Sequence, residues 1–229
     1  MSENQEHYCH CVIPDKSQGN ARPALLKEFQ WANSAVITCT FLEGEQSLQN
    51  RVAAVAAEWT GSGMANLTLR FVVSGPADIR IAFQQGRGSW SYLGTYCRRI
   101  PASDPTMNYG WLTPNSDEAT LRRVVLHEFG HALGLIHEHQ NPKHPIDWNK
   151  PAVYRDLGGP PNKWDKAKVD NNMFKKYEPA TLIATDLDPK SIMLYPIPKA
   201  WTNDGFSAGM NSELSDTDRR LIREAYPQD

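Results

Sequence analysis

Residues 127 to 137 read HEFGHALGLIH, and this stretch decides how the rest of the chain is interpreted. It ends a segment, residues 117 to 133, that is predicted to be a helix because acidic residues suit its first turn and Gly134 can stop it. His127 and His131 are four positions apart, so both imidazoles leave the same face of a helix about one turn apart. The stretch therefore predicts two nitrogen ligands side by side on one helix.

A third ligand is predicted just beyond this helix. Gly134 tolerates a positive φ angle, so the chain can turn sharply there and bring His137 towards the same metal ion. Imidazole nitrogens bind Zn²⁺ at about 2.0 to 2.1 Å, and three protein ligands leave one position for water, as in catalytic zinc sites. Glu128 can reach that water without being a ligand itself. The prediction is one catalytic Zn²⁺ ion with these ligands: His127, His131 and His137.

The alternative interpretation is that these histidines pack against the core and bind no metal. The low probability that the motif arises at random argues against this alternative. With 7 His and 15 Gly in 229 residues, an HExxH motif arises at random in roughly one chain in a hundred, and the further Gly and His lower that to about one in 10⁵. His139 remains open as a competing third ligand or as a surface residue. His144 lies in a proline-flanked loop, where a solvent-exposed side chain is expected.

The motif HExxHxxGxxH, followed downstream by a methionine turn, resembles the signature of the metzincin zinc peptidases. Residues 191 to 195 supply that turn as SIMLY. Within the metzincins the chain is similar to the astacin family, because Glu138 directly follows the third histidine and Tyr195 lies two residues after Met193. Leu194 differs from the histidine that the family usually has before this tyrosine. The resemblance covers most of the chain.

The resemblance implies a zinc-dependent metalloendopeptidase that hydrolyses peptide bonds in proteins. In this family Glu128 would be the general base and later the acid, and zinc would bring the pKa of bound water to about 7. Met193 would form an apolar floor beneath the metal, and the Tyr195 hydroxyl would stabilise the tetrahedral intermediate. Residues 89 to 94, SWSYLG, would be the rim to which a substrate adds as an antiparallel strand. A packed loop aromatic is the other interpretation of Tyr195.

The elements read from the sequence pattern describe an α+β chain, and the resemblance implies the metzincin arrangement. In that arrangement a twisted, mixed five-stranded sheet with long helices precedes a smaller irregular C-terminal lobe, and the zinc lies in the cleft between them. Residues 1–22 are expected to be a flexible N-terminal segment. Residues 23–229 are expected to form a single catalytic domain whose lobes meet at about residue 134. The pattern predicts strands at 36–41, 67–73, 78–83 and 89–94, and helices at 46–60, 117–133, 164–177 and 215–226.

Composition and charge exclude several functional classes. The formal net charge of −2 argues against a general nucleic-acid binder, which usually needs a basic surface. No apolar run approaches the roughly 18 to 20 residues of a membrane span, so no membrane partner is expected. The expected partner is a protein or peptide substrate, and the expected state is a monomer. Residues 1–17 lack a signal-peptide pattern, which favours non-classical secretion or delivery to a host over residence in the cytoplasm.

The sequence Cys9-His10-Cys11 is a second pattern with chemical meaning. A thiolate from this N-terminal segment is a soft ligand, and our hypothesis is that it occupies the open zinc position and keeps the enzyme latent. A free thiol in the tail is the other interpretation. Two further functions stay open here: a zinc-bound module that binds without cleaving, and a delivered effector or toxin protease with one narrow protein target.

Overall fold

The N-terminal lobe is built around a sheet of short strands. The computed structural model describes residues 8–12, 27–141, 145–176 and 186–228. Its strands are β1 (His10–Val12), β2 (Val36–Phe41), β3 (Thr68–Phe71), β4 (Ile79–Ala82), β5 (Ser89–Tyr92) and β6 (Met107–Tyr109). They form one sheet in the order β1-β5-β6-β4-β2-β3. β5 and β6 pair antiparallel, whereas the other neighbours pair parallel, so the predicted mixed sheet is confirmed.

Two long helices pack against this sheet, and shorter ones belong to the C-terminal lobe. The helices in the described residues are α1 (Gln46–Ala56), α2 (Glu118–Ala132), α3 (Lys150–Gly158), α4 (Lys166–Val169) and α5 (Asp216–Ala225). In α1 the buried residues Leu48, Val52 and Val55 recur at helical spacing, so one face of the helix meets the core. None of the helices in the described ranges is long and apolar enough to cross a bilayer.

Helix α2 begins and ends where its sequence predicts. Asp117 caps it, since the side chain accepts a hydrogen bond from the Thr120 amide at 2.9 Å. At the other end Gly134 adopts a φ angle of 99°, and the amide of Leu135 folds back to the Gly130 carbonyl at 2.9 Å. The chain therefore leaves the helix abruptly, directly after the second histidine of the motif.

The main hydrophobic core lies between the sheet and the helices α1 and α2. Trp59, at the end of the first helical segment, is fully buried there. Its indole nitrogen donates to the Leu126 carbonyl at 3.0 Å, which satisfies the indole N–H inside the core. This contact fixes α2, and with it the metal ligands, against the rest of the lobe.

The C-terminal lobe has a separate core that is rich in aromatic side chains. Its regular elements are short: α4 is followed by one π-helical turn, Asp170–Phe174, and the predicted helix at 164–177 is confirmed only over these residues. Residue 177, its predicted end, lies outside the described residues. Helix α5 closes the lobe and packs back onto the N-terminal core through Ile222 and Tyr226.

Three elements differ from the sequence-based predictions. The strand β6 was not predicted, because three residues are too few to show an alternating pattern. The helix α3 was not predicted either, since Pro151 and the Gly158-Gly159 pair made its segment look irregular. β1 lies within the 1–22 segment that was expected to be flexible, and it adds a sixth strand to the predicted five. Residues 1–7 and 13–22 of that segment lie outside the described residues.

Candidate metal centre

Helix α2 and the turn at Gly134 bring three imidazoles together in the interior of the protein. His127 and His131 lie one turn apart with ring centroids 4.7 Å apart. The Nε2 atoms of His131 and His137 are 3.1 Å apart, close to the roughly 3.3 Å expected for two nitrogens on a tetrahedral zinc. One ligand atom from each histidine lies within 4.8 Å of the others. All three side chains are buried.

Backbone carbonyls orient two of these rings for metal binding. The Nδ1 atom of His127 donates to the Ile192 carbonyl at 2.8 Å, and Nδ1 of His131 donates to the Leu135 carbonyl at 2.7 Å. A ring whose Nδ1 carries the proton presents the lone pair of Nε2 to a metal. Burial, with the neighbouring imidazoles, lowers the pKa of His127 and His137 well below 6.5, and burial lowers that of His131 to about 4. The three ligands are therefore neutral at neutral pH.

These residues fit a zinc ion. The Nε2 atom of His127 is buried and has no hydrogen-bond partner among the described residues. Such an orphaned polar atom costs about 1–3 kcal/mol unless something binds it. Three neutral imidazoles, with no sulfur and one position left open, suit a catalytic Zn²⁺.

Glu128 is a buried carboxyl group beside this site. Neither of its oxygens has a well-formed hydrogen bond among the described residues, which is unusual for a fully buried acid. Burial raises its pKa well above 4.5, while the neighbouring Cys9 thiol and Arg123 lower it. A buried carboxyl group in this position is available to exchange a proton with a substrate or water.

The methionine turn, residues 191 to 195, packs against the helix that carries the first two histidines. It supplies the Ile192 carbonyl that holds His127, and the Met193 carbonyl accepts from the Glu138 amide at 3.0 Å. A Cβ atom built on Gly130 would lie 2.3 Å from the sulfur of Met193. The turn therefore packs directly against the backbone of α2, between the first and second histidines.

One buried carboxylate that sequence analysis missed fixes this turn. Asp218, in the first turn of α5, accepts from the Ser191 hydroxyl at 2.6 Å and from the Ile192 amide at 2.8 Å. It also accepts from the amide of its own helix cap, Ser215, at 2.9 Å. An acid three residues after a serine cap predicts a local capping box, and nothing in the sequence indicates that its carboxylate also reaches the turn.

Tyr195 is in direct contact with the metal-binding histidines. Its ring is stacked on His127 at 5.8 Å between centroids and lies 4.3 Å from the ring of His137. Burial raises the pKa of its hydroxyl well above 10, so the group is protonated and can donate a hydrogen bond. It donates to the backbone carbonyl of Cys9. The hydroxyl therefore already reaches the carbonyl of a peptide segment that lies in the cleft.

His139 is buried close to the metal centre, but its hydrogen bond directs it elsewhere. Its Nε2 atom donates to the Asn172 carbonyl at 2.7 Å, and burial lowers its pKa to about 3. Its ring stacks on His137 at 5.2 Å and lies 4.8 Å from Tyr195. The surface location considered for it is wrong, and its role is to pack against the ligand rather than to join the three-histidine group. His144 lies outside the described residues.

The two cysteines of the N-terminal segment have different surroundings. Cys9 is buried beside His127 and Tyr195, where these residues border a small cavity of about 10 Å³. Cys11 is buried further along the sheet, in an apolar cluster with Leu93 and Ile136. Of the two thiols, the one that borders the metal centre is Cys9.

The fold and this buried three-histidine site together define a zinc metalloendopeptidase of the metzincin class. The family model for astacin, a peptidase family, matches residues 26–226. The chain therefore belongs to the astacin family.

Solved structures support this assignment. A structure of myroilysin is 43% identical, with a TM-score of 0.86, over 90% of this chain and 98% of that one. A crystal structure of myroilysin is 41% identical, with a TM-score of 0.72, over 99% and 93%. High choriolytic enzyme 1 is a hatching-enzyme zinc protease of the medaka fish Oryzias latipes. Its structure is 18% identical to this chain, with a TM-score of 0.59, over 92% of this chain and all of that one. This likeness shows that the two proteins share the fold.

A curated relative matches a shorter part of the chain. Bovine (Bos taurus) interstitial collagenase is 36% identical over an alignment of 87 residues that covers 33% of this chain. The match spans about a fifth of that protein's length, 19%.

Proposed function

We propose that this chain hydrolyses internal peptide bonds of protein substrates at the three-histidine site. The observation that carries the proposal is the fully buried carboxyl of Glu128 next to the converging imidazoles, with the Cys9 thiol of the N-terminal segment as its neighbour. A module that only holds zinc needs the histidines but has no use for such a carboxyl, whose burial is costly. This favours cleavage over a binding-only role.

We assign the following roles to the side chains, and their surroundings support the assignment. His127, His131 and His137 hold Zn²⁺, which when bound supplies a Lewis acid for activating water and polarising the carbonyl group. Glu128 takes a proton from the attacking water and returns it to the leaving amine. Tyr195 donates a hydrogen bond to the carbonyl oxygen as negative charge develops there, a contribution on the order of 10² to 10³ in rate for comparable donors.

We also propose that the N-terminal segment keeps the enzyme latent through Cys9. The segment lies in the cleft, its Cys9 carbonyl accepts from the Tyr195 hydroxyl, and the Cys9 thiol borders His127. β1 runs parallel to β5, opposite to the direction expected for a substrate. The segment therefore blocks the site without presenting a peptide in the direction of a substrate, and a thiolate from Cys9 is a suitable fourth zinc ligand.

The two cysteines provide a matched test of this latency. We expect Cys9→Ser to raise the initial rate of casein cleavage at least tenfold and Cys11→Ser to leave the protein as latent as the parent. The reason is that Cys9 lines the small cavity beside His127, whereas Cys11 packs in an apolar cluster with Leu93 and Ile136. Equal initial rates for the parent and both variants, or relief by Cys11→Ser alone, would contradict the proposal.

The catalytic role of Glu128 is tested in the Cys9→Ser protein, so that latency does not mask the result. Glu128→Ala is expected to keep one zinc per chain, because no ligand is removed, and to lower casein cleavage on the order of 10²- to 10⁴-fold. Val73→Ala is the control, since Val73 is fully exposed. Zinc is measured by elemental analysis, and cleavage with and without chelator. A Glu128→Ala protein that cleaves casein within threefold of its parent would overturn the assignment.

Other expectations stay predictions. They are a monomeric state, the absence of nucleic-acid binding, and non-classical secretion or delivery to a host. An effector protease with a single protein target is a narrower form of the same proposal, and cleavage of casein would count against it.

A further inference from the structure

A buried aromatic pocket adjoins the metal centre, and Tyr8 fills it. The side chain of Tyr8 is only 6% exposed. Its ring stacks on Trp201 at 5.4 Å between centroids and meets Trp164 edge-on at 6.5 Å. It also meets Tyr195 edge-on at 5.4 Å, and its hydroxyl donates to the Pro196 carbonyl at 3.1 Å. The pocket therefore offers three aromatic walls and one carbonyl acceptor.

The direction of β1 shows which part of a substrate would enter this pocket. β1 is parallel to β5, with His10 opposite Trp90, whereas an incoming substrate is expected to run antiparallel to β5. The residues that follow the scissile bond of a substrate therefore lie where the residues preceding Cys9 lie in this chain. The Cys9 carbonyl is the one that Tyr195 contacts. Because Cys9 also borders His127, the residue as a whole stands at the position of the scissile bond, and Tyr8, which precedes it, lies on the side of the first residue after that bond.

We propose that this pocket, once the N-terminal segment leaves, selects a tyrosine or phenylalanine directly after the cleaved bond. The inference rests on the proposed peptidase function and adds its substrate preference. The walls are the uncharged rings of Trp164, Tyr195 and Trp201, so an aromatic side chain gains burial and ring contacts there. Cations lie in the adjoining cavity, where the Lys168 ammonium is 5.1 Å from the centroid of the Trp164 ring and Arg87 forms part of the lining.

An open cavity adjoins the pocket. It has a volume of about 300 Å³, and its lining includes Tyr8, Trp164, Arg87 and Lys168. The Pro196 carbonyl accepts a phenolic hydroxyl, so we expect tyrosine to be preferred over phenylalanine by a few-fold.

The test uses the 229-residue chain with Cys9→Ser and fluorogenic peptides that differ only in the residue after the scissile bond. We expect kcat/KM for tyrosine and phenylalanine to exceed kcat/KM for alanine by at least tenfold, and aspartate is included because Arg87 and Lys168 line the adjoining cavity. Values within threefold of one another, or a preference for aspartate, together with normal casein cleavage would overturn this inference alone. Absence of casein cleavage as well would overturn the proposed function and, with it, this inference.

Variants show whether the pocket itself produces the preference. Trp201→Leu is expected to reduce the ratio of kcat/KM for tyrosine over alanine to below threefold. Because the Trp201 indole also donates to Asp156 at 2.8 Å and its loss can disturb folding, Trp164→Leu serves as a second variant with the same expectation. Tyr8→Ala should leave the ratio unchanged, since Tyr8 belongs to the departing segment. An unchanged ratio in both tryptophan variants, or a ratio altered by Tyr8→Ala, would contradict the proposal.

Discussion

The two lobes position their parts of the active site in different ways. In the N-terminal lobe regular backbone structure positions the ligands. Helix α2 sets the spacing of His127 and His131, and its end at Gly134 sets the direction in which the chain leaves. In the C-terminal lobe the methionine turn has no regular structure of its own. A carboxylate from α5, Asp218, holds it in place. The comparison teaches that half of this site depends on local backbone rules and half on a few long-range side-chain contacts.

The largest effect is expected from removing the long-range anchor in the C-terminal lobe. Asp218→Ala leaves the Ser191 hydroxyl and the Ile192 amide without their buried acceptor, so we expect the free energy of unfolding to fall by about 3–5 kcal/mol. Zinc affinity should fall about 10- to 100-fold, because Ile192 also orients His127. Denaturant unfolding and zinc titration measure the two effects.

A neighbouring acid provides the control for that experiment. Asp216 lies in the same first turn of α5 but is exposed to solvent. Asp216→Ala should change stability by less than about 0.5 kcal/mol. If both variants lose the same stability, the carboxylate of Asp218 acts through its helix and not through the methionine turn.

A smaller effect is expected where the two lobes meet at Gly130. Replacing a glycine inside a helix by alanine normally stabilises it by roughly 0.5–1 kcal/mol. At Gly130 the added Cβ would lie 2.3 Å from the Met193 sulfur, so we expect a net loss of about 1–3 kcal/mol instead. Gly158→Ala, at the end of α3, meets only ordinary contacts and is the matched control. A thermal unfolding scan that shows Gly130→Ala to be as stable as the parent would contradict the close packing of the lobes.

The smallest effect concerns a partly buried acid of the N-terminal sheet. Burial opposes ionisation of Asp78, but hydrogen bonds from Arg98 and Thr38 outweigh it and hold its pKa below 3.8. A pKa lowered on folding stabilises the protein above the unfolded pKa and loses that contribution as the pH falls through the folded pKa. Because Arg98 is half exposed, we expect less than about 1 kcal/mol.

This pH dependence is measurable by comparison with Asp78→Asn. The parent should be slightly more stable than the variant at pH 7, and the difference should shrink below about pH 4. Chemical denaturation of both proteins with chelator present separates this effect from metal loss. A difference that is constant between pH 7 and pH 3 would show that the charge of Asp78 contributes nothing.

The sequence predicted the half of the site that depends on local rules. The positions of His127, His131 and His137 follow from helical spacing and one glycine, and the strand at 36–41 was predicted with its observed ends. A regular spacing of side-chain types within one helix or strand is enough for such predictions. The assignment of Glu128 and Tyr195 to catalysis stays a prediction, now with the surroundings that support it.

The remaining features depend on residues far apart in the chain. The Tyr8 hydroxyl meets the Pro196 carbonyl across 188 positions, and the Ser191–Asp218 hydrogen bond joins two elements 27 positions apart. No periodic pattern marks such pairs. The pairing of β1 with β5 was missed for the same reason, because three residues of mixed polarity carry no recognisable strand signal.

The cover that β1 forms over β5 also affects how the protein behaves towards other chains. An edge strand with unpaired amides and carbonyls is a template for intermolecular association, and proteins usually protect it. In this chain the N-terminal segment protects that edge for as long as it occupies the cleft. Under the proposed latency, the departure that admits a substrate would also uncover the edge of β5, so we expect the uncovered form to associate with other chains more readily than the covered form.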